Sequence, residues 1–178
     1  MGDPLPLFRY YPDPIGTGAI IASDNRCICC GEPRGFIYTG PAYAVEDFGD
    51  CFCPWCIADG SAHEEYDVSF NLRYSLRTTP QAVVEEIEFR TPGFWCLQQG
   101  EWQEHCHDAA RYLGVPGREV IRALAPGVLA QLRGTADVSD DELWGEILDI
   151  AGDTTGIYRI YLFSCVVCQG LVGFVACE

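Results

Sequence analysis

The chain has 178 residues and a formal net charge of −15, and its eleven basic residues are all arginine. So acidic a surface opposes nucleic acid, whose binding rests on cationic neutralisation of phosphate, and no uncharged apolar run approaches the ~18 residues of a membrane span. Eleven cysteines are an odd count for a fully paired disulfide framework. The start MGDPLPLFRYYPDP lacks a basic segment followed by an apolar one, so the expectation is a cytoplasmic protein with thiols in metal or redox roles.

One domain spanning 1–178 is expected, in three zones. The first, 1–75, is rich in Gly, Pro, Cys and aromatic residues. There LFRYYPDP reads as an extended segment ending in a proline turn, and RGFIYTG as a strand closed by Gly40-Pro41. The second, 79–152, reads as mainly helical. Thr79-Pro80 opens a helix over PQAVVEEIEF. Trp102, Cys106, Ala109, Ala110 and Leu113 share one face of a helix that Gly114 ends. Another helix runs from near Pro116, with Val120, Ile121 and Leu124 inward, and Pro126 kinks or restarts it. In SDDELWGEILDIAG, Ser139 and Glu142 make a capping box and Gly152 follows the end.

The third zone, 156–178, returns to strands. Tyr158, Ile160, Leu162 and Ser164 alternate with Arg159, Tyr161 and Phe163, and Cys165, Cys168, Gln169 and Gly170 fall at a hairpin turn. The fold class read from this is α+β: a Cys-rich zinc-knuckle β-layer formed by both chain ends, with a helical insertion between them.

Cys27-x-x-Cys30 and Cys53-x-x-Cys56 stand 22 residues apart. Each pair can form a tight turn aiming two thiolates at one point, and a tetrahedral structural zinc needs four such donors. Gly31 suits a knuckle, because the turn calls for positive φ. Cys-Pro-Trp-Cys is also a redox motif, in which the first cysteine caps a long helix; Gly60 and Ser61 follow too closely for that helix, which favours metal. Cys29 and Cys51 are spaced too tightly for ligands and read as bystanders, Cys96 and Cys177 as small hydrophobes. Cys165-x-x-Cys168 is either a second metal knuckle or an apolar turn. His105-Cys106-His107 cannot complete it from a helix, which would splay the three side chains.

A closed tetrathiolate site supports folding rather than catalysis. His63, beside Glu64, Glu65 and Asp67, is the one candidate general base, with no nucleophile implied. No GxSxG, Walker, HExxH or GxGxxG motif occurs.

The phrases LFRYYPDPIGTGAI, CICCGEPRGFIYTGPAYAVED, CPWCIADGSAHEEYDVSF, RTPGFWCLQQGEWQEHC and YLFSCVVC together resemble the signature of CbrC-like bacterial proteins, sometimes labelled colicin tolerance proteins. That resemblance implies a cytoplasmic protein linked to tolerance of a DNase bacteriocin, and places the family's cysteine motifs on Cys27, Cys30, Cys53, Cys56, Cys165 and Cys168. Gln169 stands where some relatives have glycine. On this reading the partner is a cognate toxin, of basic nuclease type, met by an acidic face. Candidates for that face are Glu46 and Asp47, then Glu85, Glu86 and Glu88, then Asp140 and Asp141. The expected function is a zinc-stabilised immunity protein without catalytic residues. The alternatives are a metal-dependent enzyme and a thiol redox protein.

Overall fold

The computed structural model describes residues 4–96, 100–152 and 157–177; the zone limits at 156 and 178 lie outside them. The fold is α+β, with two antiparallel sheets among the described residues. Strands β1 (Ile20–Ala22) and β2 (Phe36–Tyr38) form a short ladder in which Ile20 faces Tyr38. The segment that follows carries two six-residue helices, α1 (Pro54–Asp59) and α2 (Ser61–Tyr66), separated by Gly60 at φ 89°. Helix α3 (Gln81–Arg90) comes next. The second sheet runs β3 (Glu104–His105), β4 (Asp108–Gly114), β5 (Tyr158–Cys165) and β6 (Leu171–Cys177), in that spatial order. Helices α4 (Arg118–Arg122), α5 (Pro126–Thr135) and α6 (Asp141–Ile150) fill the connection between β4 and β5.

Strand β5 is the spine. Its strict alternation sends Tyr161 and Phe163 into one core and Ile160 and Leu162 into another. The first core holds the aromatic cluster of Phe94, Trp102, Tyr112 and Phe163, with Phe94 stacked on Tyr112 at 4.2 Å. It continues into Phe52, Phe70 and the buried cysteines of the N-terminal half. The second core lies under α4–α6, where Ile121, Leu132, Trp144 and Ile147 meet the aliphatic face of β5.

Three local expectations change. The stretch from Trp102 to Leu113 is a hairpin, not a helix: Ala110, Tyr112 and Gly114 are buried in strand alternation, and Ala110 pairs with Cys165. Its 3–4 spacing of apolar residues is overridden by cross-strand pairing, which no local window contains. Asp140, not Ser139, caps α6, because its carboxylate accepts from Leu143 N–H at 2.8 Å. Thr79 does not cap α3: Pro80 stands at the N-cap, and the Thr79 hydroxyl donates to Glu104 instead. Pro126 does restart the chain as the first residue of α5.

Candidate metal centres

Among the described residues, two clusters of four side chains have geometry suited to a metal ion: Cys27, Cys30, Cys53 and Cys56, and His105, Cys106, Cys165 and Cys168. Within each, one ligand atom per residue lies within 4.8 Å of every other.

The first cluster is built from a knuckle and a helix start. At the knuckle, Cys27 N–H donates to Glu32 O (3.1 Å), and Gly31 N–H donates back to Cys27 O (2.8 Å). Gly31 takes φ 71°, where a side chain would be strained. The facing pair comes from α1: Cys53 is the N-cap, Pro54 the first helical residue, and Cys56 one turn on. The Sγ atoms of Cys27 and Cys56 are 3.8 Å apart, and those of Cys30 and Cys53 are 3.9 Å apart. A zinc ion with bonds of about 2.3 Å to sulfur sets tetrahedral edges of about 3.8 Å, so the residues fit the ion. Cys53 N–H also donates to Cys27 Sγ at 3.2 Å, the kind of backbone bond that orients a ligating thiolate.

Without a cation, four thiols this close cannot all ionise. The hydrogen bond from Cys53, aided by backbone N–H groups and opposed by burial, pulls Cys27 down to about 4. The same bond, followed by burial, pushes Cys53 far up, and burial pushes Cys56 up. A redox motif needs its leading cysteine ionised. That activation also needs a long helix running on from the motif, and α1 ends after six residues.

Cys29 sits outside this set, bonded to Ser61 at 3.4 Å, and burial raises its pKa. Cys51 is also outside, with burial pushing it up to about 11. Cys177, expected to be an apolar filler, is exposed, whereas Cys96 packs against the first core.

The second cluster answers what accompanies Cys165 and Cys168. The β3–β4 turn delivers His105 and Cys106 beside them, because the hairpin ends at the same edge of the sheet as the β5–β6 turn. His105 Nδ1 is 3.2 Å from Cys106 Sγ and 3.5 Å from Cys168 Sγ. Burial raises the Cys165 thiol, but Cys168 N–H, His105 and Val167 N–H together outweigh it and bring it to about 6. The helix expectation for this stretch hid the pair. The legible signal was Cys-His as a two-residue break ahead of alternating Ala110, Tyr112 and Gly114.

The acidic candidates separate. Glu46 lines a groove of about 370 Å³ with Val45, Phe48, Glu64, Glu65, Tyr66 and Asp67. Asp47 lies beside it, its carboxylate accepting from Gly49 N–H. Glu85 bonds Gln81, and Glu88 faces Arg73 at 3.8 Å, both on α3. Glu86 lines a different cleft with Arg9 and Arg90. Asp140 is a helix cap and Asp141 pairs with Arg133 at 2.7 Å. His63 stacks on Phe89 at 3.7 Å and its Nδ1 meets Val68 O at 3.0 Å, a packing role. A cleft of about 410 Å³ includes Asp13, Trp95, Tyr112 and Arg159 but no residue of either cluster.

Fold and site together define an α+β protein with cysteine clusters contributed from both ends of the chain. The chain belongs to an uncharacterised protein family, UPF0167, whose model matches residues 5–175. It is 42% identical over 169 residues to a UPF0167 protein of Mycobacterium bovis, covering 92% of this chain and 89% of the relative. It is 41% identical over 172 residues to one of Pseudomonas aeruginosa, covering 94% of each. These matches correct the CbrC-like assignment drawn from the sequence phrases, because the family model and the relatives alike carry the UPF0167 designation. No solved structure matches.

Proposed function

We propose that this is a zinc-stabilised binding protein that holds a basic protein partner in the acidic groove beside its first metal centre. The observation that carries this reading is the groove itself. Glu46, Glu64, Glu65 and Asp67 line it together with Phe48 and Tyr66, so a basic side chain would find both carboxylates for its head and apolar surface for its stem. Tyr66 donates to Ile28 O of the knuckle at 2.9 Å and packs edge-on against Phe48 and Phe52. A metal at Cys27, Cys30, Cys53 and Cys56 would thereby hold the groove wall in place.

Zinc is the metal the donors favour, since four thiolates at tetrahedral edges suit a soft, four-coordinate site without an open position. Such a centre supplies folding energy, and the function falls to the surface. The free thiols fit a reducing compartment, for which we take the cytoplasm. Among basic partners, a nuclease toxin is the class the −15 charge suits, because a phosphate-binding surface is complementary to it.

The test is a titration of the zinc-loaded protein with a purified basic nuclease toxin domain, followed by calorimetry at low and high salt. Micromolar or tighter binding, weakened by salt and abolished in Glu64→Arg/Glu65→Arg, is expected. Absence of binding at micromolar concentration, or binding indifferent to that double variant, overturns the reading.

A further inference from the structure

We propose that His105, Cys106, Cys165 and Cys168 form a second zinc centre of a different kind from the first, a solvent-facing clasp that exchanges its ion and pins the β3–β4 turn to the β5–β6 turn.

The knuckle at Cys165 repeats the backbone of the knuckle at Cys27. Cys165 N–H donates to Gly170 O (2.8 Å) and Gln169 N–H donates to Cys165 O (3.1 Å); the equivalent bonds at Cys27 join Glu32 and Gly31. Val167 N–H and Cys168 N–H both point at Cys165 Sγ, at 3.3 and 3.4 Å. An apolar turn has no use for two N–H groups aimed at one sulfur, whereas a ligating thiolate does. The partner turn is built against local preference. His105 pairs with Asp108, leaving Cys106 and His107 as a two-residue connection at φ 54° and 60°. That geometry favours Asn-Gly, and Cys106 suits it poorly. It brings Cys106 and His105 to the other knuckle, where the sulfur–nitrogen distances of 3.2 and 3.5 Å fall just short of the edge that a zinc ion with mixed ligands sets, about 3.6 Å.

Burial separates the two centres. His105, Cys106 and Cys168 are exposed and only Cys165 is buried, whereas none of Cys27, Cys30, Cys53 and Cys56 is exposed. A chelator can reach the second ion directly, but reaching the first requires the core to open. The clasp also joins strands that hold little by themselves, since β3 pairs with β4 over two residues.

The full-length protein, loaded with zinc, is assayed for metal content and for release to a chromogenic chelator. Two zinc ions per chain are expected, one leaving at least about tenfold faster than the other. His105→Ala and Cys168→Ser should each lose the fast ion and keep the slow one. His105→Cys, which restores four donors, should keep both, and its cobalt form should show stronger thiolate charge-transfer absorption than the wild type. One ion per chain that His105→Ala leaves untouched overturns the second centre while sparing the first. Two ions released at one rate overturn the exchangeable character.

Discussion

Gln169 occupies in its knuckle the position that Gly31 occupies in the other, each four residues after the leading cysteine, with φ 61° and 71°. Glycine adopts that backbone without strain, whereas a glutamine there costs about 1 kcal/mol. Gln169→Gly is therefore expected to stabilise the protein by about 0.5–1 kcal/mol in urea denaturation. Gly31→Ala is expected to do the reverse by about 1 kcal/mol, although its Cβ would meet nothing within 4 Å. A destabilised Gln169→Gly would show that the glutamine side chain does more than tolerate the turn.

Cys53 links the knuckle to α1 and lies within the first core. Cys53→Ser or Cys30→Ser should leave a metal-poor protein destabilised by more than about 3 kcal/mol, because binding energy at a structural zinc is folding energy. Thermal melts with and without a strong chelator give the check. Unchanged metal content and melting temperature in both variants would count against the centre.

Glu104 ties β3 to the start of α3 by accepting from Thr78 N–H, Thr79 N–H and the Thr79 hydroxyl at 2.8–3.1 Å. Burial raises its pKa, but these bonds outweigh it and hold the carboxyl below its ordinary value. A depressed folded pKa contributes stability above the unfolded value, lost as pH falls through the folded one. Glu104→Gln is thus expected to cost about 1 kcal/mol at pH 7, given partial exposure. The gap to wild type should close below about pH 4. A gap constant with pH would assign the cost to packing.

Tyr38 is fully buried, donating to Pro41 O at 2.7 Å and accepting from Gly93 N–H at 2.9 Å. Tyr38→Phe leaves both backbone groups without that partner, at a cost of about 1–3 kcal/mol. Equilibrium unfolding reads this directly, and a change under about 0.5 kcal/mol would mean water replaces the hydroxyl.

The first cluster was legible because everything it needs is local: two CxxC spacings, a glycine after one, a proline inside the other. The pleat of β5 was legible for the same reason, since alternation is written in consecutive residues. Cys106 and His105 were not, because Trp102, Cys106, Ala109 and Leu113 mimic helical spacing. What decides against a helix is pairing with β5, across the α4–α6 insertion. Gln169 stands where a left-handed turn would favour glycine, yet the backbone takes that turn regardless. Charge was legible in total but not in place: Glu46 lines the groove, whereas Asp140 and Asp141 serve a helix start and Glu88 faces Arg73.

Strand β5 is a party wall. Tyr161 and Phe163 belong to one interior and Ile160 and Leu162 to the other, so sliding the strand by one residue would put rings where branched aliphatics fit, on both sides at once. Neither interior can loosen its side of the wall without disturbing its neighbour, and the two are expected to melt as one.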